Sequence, residues 1–183
     1  MLGLTLAACG SSSPAIPESK LSKLVLQQTD LPAGFAPFYV GRQLTADQTA
    51  TRSDPKRFGR RGGWIARYHR GGSPRVSGAL VVASRADLFG DAGGAKRDFA
   101  LYRDELERGA FKPVRVSGLG DAAVAATTLQ GAGGLLVRSY SIAWRVDNAT
   151  AELDANGFAR RFTLAQALAL ARKQDARLRA AAR

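Results

Sequence analysis

Leu136-Val137-Arg138-Ser139-Tyr140-Ser141-Ile142-Ala143-Trp144-Arg145-Val146 is the most regular stretch of the chain: Leu136, Arg138, Tyr140, Ile142, Trp144 and Val146 share one side of a two-residue alternation. Successive side chains of a strand point to opposite faces, so this period specifies β-structure. Asp147-Asn148 supplies a two-residue hairpin into Ala149 to Ala155, and Asn156-Gly157 ends the second strand. Beyond it, Thr163-Leu164-Ala165-Gln166 has capping-box spacing, with Thr163 as N-cap and Gln166 at N3. A terminal helix follows, with Leu164, Leu168, Ala171 and Leu178 as its apolar stripe.

Toward the N-terminus, Ala122 to Thr127 reads as a small-residue strand entered through the turn Ser117-Gly118-Leu119-Gly120-Asp121. Ala95, Phe99, Tyr102 and Leu106 are spaced by four, three and four, one stripe of a helix over about Gly93 to Arg108. Val76 to Phe89 is a β-branched run with the character of a central strand, and Trp64, Ala66 and Tyr68 alternate along another. Gly41 to Gly63 is polar, basic and aperiodic, a long loop. Leu21, Leu24 and Val25 mark a short helix that Asp30-Leu31-Pro32-Ala33-Gly34-Phe35 terminates. After that helix the order is β-β-α-β-β-β-α. Antiparallel strands with one helix inserted and one appended predict an α+β two-layer sandwich, a mainly antiparallel sheet with its helices packed on one face.

The chain has 183 residues, 27 Lys and Arg against 15 Asp and Glu, and a formal charge of +12. That length accommodates one domain and excludes a multidomain enzyme. The excess charge is clustered: Arg52 to Arg75 carries eight basic residues and one acid, and Ala159 to Arg183 seven and one. Lys56, Arg57, Arg60 and Arg61 in the loop, with Lys96 and Arg97 at the start of the first helix, are candidate anion contacts. Anionic lipid or a wall polymer is the partner these would meet. Trp64, Tyr68, Tyr140 and Trp144 form a second constellation, either core beneath the helices or the wall of a ligand cleft.

One Cys forbids an intramolecular disulfide, and with a single His the zinc spacings that need Cys/His pairs cannot be assembled. That Cys9 follows Leu6-Ala7-Ala8 and precedes Gly10-Ser11-Ser12-Ser13-Pro14. The arrangement resembles a bacterial lipobox. The resemblance implies diacylation of Cys9, removal of residues 1–8 as a truncated signal peptide, and attachment to the extracytoplasmic face of the cell membrane. Residues 9–18 are then lipidated Cys and flexible tether, and residues 19–183 a single globular domain with its basic loop at about 41–63. Export separates such a domain from nucleic acid, which is not an expected partner.

Asp30-Leu31-Pro32-Ala33-Gly34-Phe35, Leu119-Gly120-Asp121-Ala122-Ala123 and Ile142-Ala143-Trp144-Arg145-Val146, before a terminal Ala/Leu/Arg helix, resemble uncharacterised actinobacterial-type lipoproteins. The same features resemble, more loosely, the extracellular sensor domain of PknH-type Ser/Thr kinases and the PsbP/Mog1-like α/β sandwiches, over about residues 20 to 180. The PknH-type sensor has paired disulfides, which this chain lacks. Those families imply binding or sensing of an envelope component.

Catalytic chemistry is not legible. His69 lies between Arg67 and Arg70 on the strand side opposite Trp64 and Tyr68, and Asp104, Glu105 and Glu107 share a helix with Arg103 and Arg108. No nucleophile elbow, metalloprotease or EF-hand spacing occurs, and no motif calls for a metal or cofactor. The function expected is a non-catalytic, membrane-anchored binding or sensing lipoprotein. The alternatives are an accessory envelope protein docking anionic lipid or wall polymer through its basic loop and, behind it, an envelope hydrolase.

Overall fold

The computed structural model describes residues 15–43, 56–109, 111–132 and 135–183. They form β1 (Ala36–Gln43), β2 (Arg60–His69), β3 (Val81–Phe89), α1 (Ala92–Arg108), β4 (Lys112–Val114), β5 (Ala122–Ala132), β6 (Leu135–Val146), β7 (Ala149–Phe158) and α2 (Leu164–Ala181). Short 3-10 turns lie at Glu18–Lys23, Gln28–Asp30 and Arg57–Gly59. The strands make one antiparallel sheet in the order β1-β2-β3-β7-β6-β5-β4. Two meanders, β1 to β3 and β4 to β7, meet where β3 pairs with β7.

This topology requires a crossover. The chain leaves β3 in the middle of the sheet and must reach β4 at the far edge, four strand spacings or about 19 Å away. Helix α1 has 17 residues, a length of about 25 Å that covers the span. Its Phe99, Tyr102 and Leu106 pack on Ala126 and Ala143. Helix α2 returns across the other face, where Ala167, Leu170, Ala171 and Leu178 join Ile142, Trp144, Ala151 and Leu153.

The α+β class and the antiparallel sheet are as the sequence predicts, but the helices are divided between the two faces instead of sharing one. Ile142, Ala143 and Trp144 are consecutive and all buried, as are Ala149, Thr150, Ala151, Glu152 and Leu153. Burial on both sides is what a central strand between two layers requires. Small side chains on the α1 face, Ala126 and Ala143, hide that face from a reading based on alternating bulk.

Two strands were not legible. β1 (Ala-Pro-Phe-Tyr-Val-Gly-Arg-Gln) is exposed along most of its length and contains Pro37, and β4 contains Pro113; both lie at sheet edges, where a missing N–H is tolerated. The predicted loop at 41–63 is correspondingly shorter, since residues 41–43 extend β1 and 60–63 open β2. Residues 44–55 lie outside the described residues, as do the lipobox and Cys9.

The N-terminal segment is part of the fold from Ile16 onward. Ile16 is 1% exposed, and its N–H donates to Asn148 Oδ1 over 2.8 Å. The Asn148 amide in turn donates to the Ile16 and Phe89 carbonyls. From there residues 16–35 run along β2 and β3, with Leu21, Leu24, Val25 and Leu26 all buried.

The three sequence motifs that carry the family resemblance have structural explanations. Asp30 accepts from Arg177 Nε and Nη2 on α2 at 2.8 and 2.9 Å. Gly120 (φ +51) leaves no room for a Cβ, which would lie 2.2 Å from the Arg145 carbonyl. Its N–H donates to Asp175 on α2, while Arg179 donates to its carbonyl. Trp144, from the third motif, is fully buried beneath that helix. All three therefore fasten α2 to the sheet.

Candidate functional site

At the end of the sheet where β2 finishes and β7 turns into α2, four segments surround a cavity of about 300 Å³. Pro32 and Phe35 come from the turn after Asp30, Arg70 and Ala79 from the β2–β3 loop, Phe162 from the β7–α2 turn, and Leu170 and Lys173 from α2. Each segment is held by local chemistry. Pro32 stops the N-terminal turn and Gly34 adopts φ +93, which swings Phe35 inward to 5% exposure. Gly78 donates to the Arg161 carbonyl at 2.8 Å, closing one loop onto the next. Phe162 is 1% exposed and stacks edge-on against Tyr140 at 5.3 Å, forming an aromatic floor.

The polar side chains at the cavity are two cations, one amide and the Ser77 hydroxyl. Arg70 Nε donates to the Ala79 carbonyl at 2.6 Å and Nη2 to the Ser77 carbonyl, while its guanidinium lies 5.0 Å above the Phe35 ring. A guanidinium has five N–H groups, so these bonds leave donors available. Lys173 Nζ donates to the Asp30 carbonyl and also has protons to spare. Gln166 closes the α2 capping box with Thr163 and reaches Ser77 Oγ at 3.5 Å. Among the described residues no carboxylate lines the cavity. An apolar chamber with two cations at its rim suits an apolar ligand carrying an anionic head.

Asp30 stabilises the cavity's outer wall. Burial raises its pKa, but the hydrogen bonds from Arg177 and the Gln27 N–H, with Lys173 nearby, outweigh that and hold the carboxyl below its ordinary value of 3.8. A folded-state pKa below the unfolded one stabilises the fold fully above about pH 4 and less as pH falls through the lowered value. Asp30→Asn is therefore expected to lower the urea midpoint at neutral pH and to lessen the further loss on acidification. Parallel acid limbs for the two proteins in urea titrations would contradict this.

The aromatics of the sequence analysis occupy the core. Tyr68, Tyr140 and Trp144 are 3%, 7% and 0% exposed, and Trp64 is half-buried. The cleft alternative is corrected because residues 16–35 and α2 cover that sheet face; Tyr68 Oη donates to the Leu26 carbonyl at 3.0 Å. Tyr140 approaches the cavity from behind Phe162.

The six candidate anion contacts separate into two groups. Arg60 is withdrawn into the protein, its side chain 3% exposed and paired with Asp87 at 2.6 Å, so its assignment as an anion contact is corrected. β2–β3 pairing and α1 bring Arg57, Arg61 and Arg97 together at the opposite end of β2 from the cavity. Arg57 and Arg97 lie on the Phe58 ring, Arg61 lies over Gly90, and Lys56 and Lys96 are exposed nearby in sequence. The α1 N-terminus is not an open anion site, because Asp91 Oδ1 accepts the Gly94 N–H at 2.7 Å. Gly94 is needed for space: a Cβ there would lie 2.4 Å from the Phe58 carbonyl.

His69 is exposed and meets the Phe38 ring edge-on at 5.5 Å. Asp104 and Glu107 pair with Arg103 and Arg108 on the outer surface of α1. Among the described residues no group of three or more His, Cys, Asp or Glu could hold a metal, and no helix is long and apolar enough to cross a membrane.

The chain is similar to the extracellular domain of PknH from Mycobacterium tuberculosis, with a TM-score of 0.69 and 14% sequence identity over 92% of this chain and 99% of that one. At that identity the likeness shows the fold. No protein-family model and no curated protein matches the sequence. The resemblance read from sequence is thus met at the level of architecture.

The cavity was missed in the sequence because its walls are 140 residues apart in the chain and belong to turns, where no periodicity operates. The only local signal was Asp30-Leu31-Pro32-Ala33-Gly34-Phe35, a rigid turn ending in an aromatic residue.

Proposed function

We propose that the protein is a non-catalytic, extracytoplasmic binding domain, anchored to the membrane by acylated Cys9, whose ligand is an envelope amphiphile with an anionic head. The observation that carries this reading is the cavity. Phe35, Phe162 and Leu170 supply the apolar wall, and Arg70 and Lys173 the positive rim. The similarity to a domain described as extracellular supports the compartment, and Leu6-Ala7-Ala8-Cys9 supports the anchor. A binding role also fits the position of the lone His69, which packs on Phe38 and faces solvent.

Decanoate, decanol and decyltrimethylammonium are suitable probes, because they share a chain and differ in head charge. Decanoate at about 100 times its Kd should stabilise the protein by about 2.7 kcal/mol in thermal unfolding, and the cationic analogue by much less. Leu170→Trp, which fills the chamber, should abolish the shift. Lys173→Met should weaken decanoate binding about tenfold or more and leave decanol unaffected. Equal stabilisation by all three probes, or an undiminished shift in Leu170→Trp, would eliminate the cavity as the site. The anchor is tested separately: Cys9→Ala should move the protein from the membrane to the soluble fraction and end palmitate labelling.

A further inference from the structure

We infer that the end of the fold bearing Phe58 docks on an anionic lipid bilayer, with the Phe58 ring entering the interface and Arg57, Arg61 and Arg97 meeting lipid phosphates. The Arg57 and Arg97 guanidinium carbons lie 4.8 and 5.6 Å from the Phe58 ring centroid, one on the 3-10 turn Arg57–Gly59 and the other on α1. Arg61 projects over Gly90 beside them. None of the three forms an ion pair among the described residues. Three acids at this end are engaged elsewhere, since Asp91 caps α1, Asp87 holds Arg60 and Asp121 holds Arg145, while Asp147 in the β6–β7 turn forms no ion pair among the described residues.

Phe58 itself is unusual. Its φ is +55, a left-handed conformation that a residue with a Cβ disfavours. The strained turn keeps a half-buried aromatic ring beside two cations. An amphipathic cluster of this kind matches a membrane interface, where apolar groups enter the acyl boundary and cations stay among the headgroups.

The course of the chain points to the same surface. Ile16 is hydrogen-bonded to Asn148, Asn148 to Phe89, and Phe89 packs at Gly94 beside the Phe58 carbonyl. Residue 15 therefore leaves the fold at the cationic end. Six residues separate Cys9 from Ile16, at most roughly 25 Å of extended chain. The Cys9 anchor proposed above would hold this end close to the headgroups. The cavity, at the other end of β2 and about 33 Å away, would then open away from the membrane.

Docking and anchoring are separable, so the test uses the full chain carrying Cys9→Ser and vesicles of equimolar phosphatidylglycerol and phosphatidylcholine. Arg57→Gln, Arg61→Gln and Arg97→Gln should each lower the partition coefficient about fivefold, and the triple variant about 100-fold. Phe58→Asn, which accepts positive φ, should lower it about tenfold. Neutralising exposed Arg75, Arg160 and Arg161 at the cavity end removes the same charge and should change it less than about twofold. Equal losses at both ends would show that net charge alone drives partitioning and would overturn the proposal. So would vesicle binding that survives in the Phe58 and triple variants while binding to soluble teichoic acid is lost, which would assign the patch to a polymer. Unchanged melting temperatures identify the variants as folded.

Discussion

Arg60→Ala should destabilise the protein by about 3–5 kcal/mol, because it leaves the Asp87 carboxylate buried without its cation. The Arg60 and Asp87 side chains are 3% and 2% exposed, and Arg60 Nη2 also donates to the Gln43 carbonyl at 2.7 Å, joining β1 to β2. Gly63 makes room for the pair: a Cβ there would lie 2.1 Å from Arg60 Nη2 and 2.3 Å from Asp87 Oδ1. Urea denaturation should show a much lower midpoint with the slope unchanged. The double variant Arg60→Met, Asp87→Leu should recover most of the loss, since an apolar pair of similar volume needs no compensating charge. Arg57→Gln, one turn away, should stay within about 0.5 kcal/mol. A small effect of Arg60→Ala would mean that this arginine is a surface cation after all, and would return it to the docking patch.

Trp144→Ala should cost a similar amount, about 3–5 kcal/mol, by emptying the space between β6 and α2. Trp144 is 0% exposed and shares its cluster with Ile142, Leu153 and Leu178. Its indole N–H is buried without a hydrogen-bond partner among the described residues. Trp144→Phe removes that unpartnered donor along with some packing, so its penalty should be well below that of Trp144→Ala. Comparing the two by urea denaturation separates packing from polar burial. If Trp144→Ala were to alter decanoate affinity at unchanged stability, Trp144 would belong to a ligand site and not to the core.

Particular residues show why some of the architecture was legible. Tyr140, Ile142 and Trp144 alternate with smaller or polar neighbours, and period two has one structural meaning. Thr163 and Gln166 form their reciprocal cap because both partners lie within one helical turn. In α2 the buried stripe runs through Ala167, Leu170, Ala171 and Leu178, with Leu164 and Leu168 at its margin. That displacement arises because Ala, which carries almost no apolar moment, occupies much of the contact. β1 was illegible for a different reason: at a sheet edge it buries almost nothing, so no pattern is imposed on it.

The candidate sites depended on contacts that have no local signature. Arg57 and Arg60 are three residues apart and chemically identical, yet one lies on Phe58 at the surface and the other is sealed against Asp87. Strand direction and the position of Gly63 make that distinction, and neither is encoded within the segment 57–60. Arg97 joins the same surface only because Phe89 and Gly94 dock α1 beside the 57–59 turn.

Sequence alone determined the long β-hairpin, both helices, the α+β class and the clustering of positive charge, because each arises from periodicity, capping or composition within a short window. Tertiary structure decided which sheet face each helix covers, which arginines remain at the surface, and where a cavity opens. Those outcomes depend on pairing between residues far apart in the chain, and the free energy of a buried charge or an enclosed space is set by all the segments that surround it.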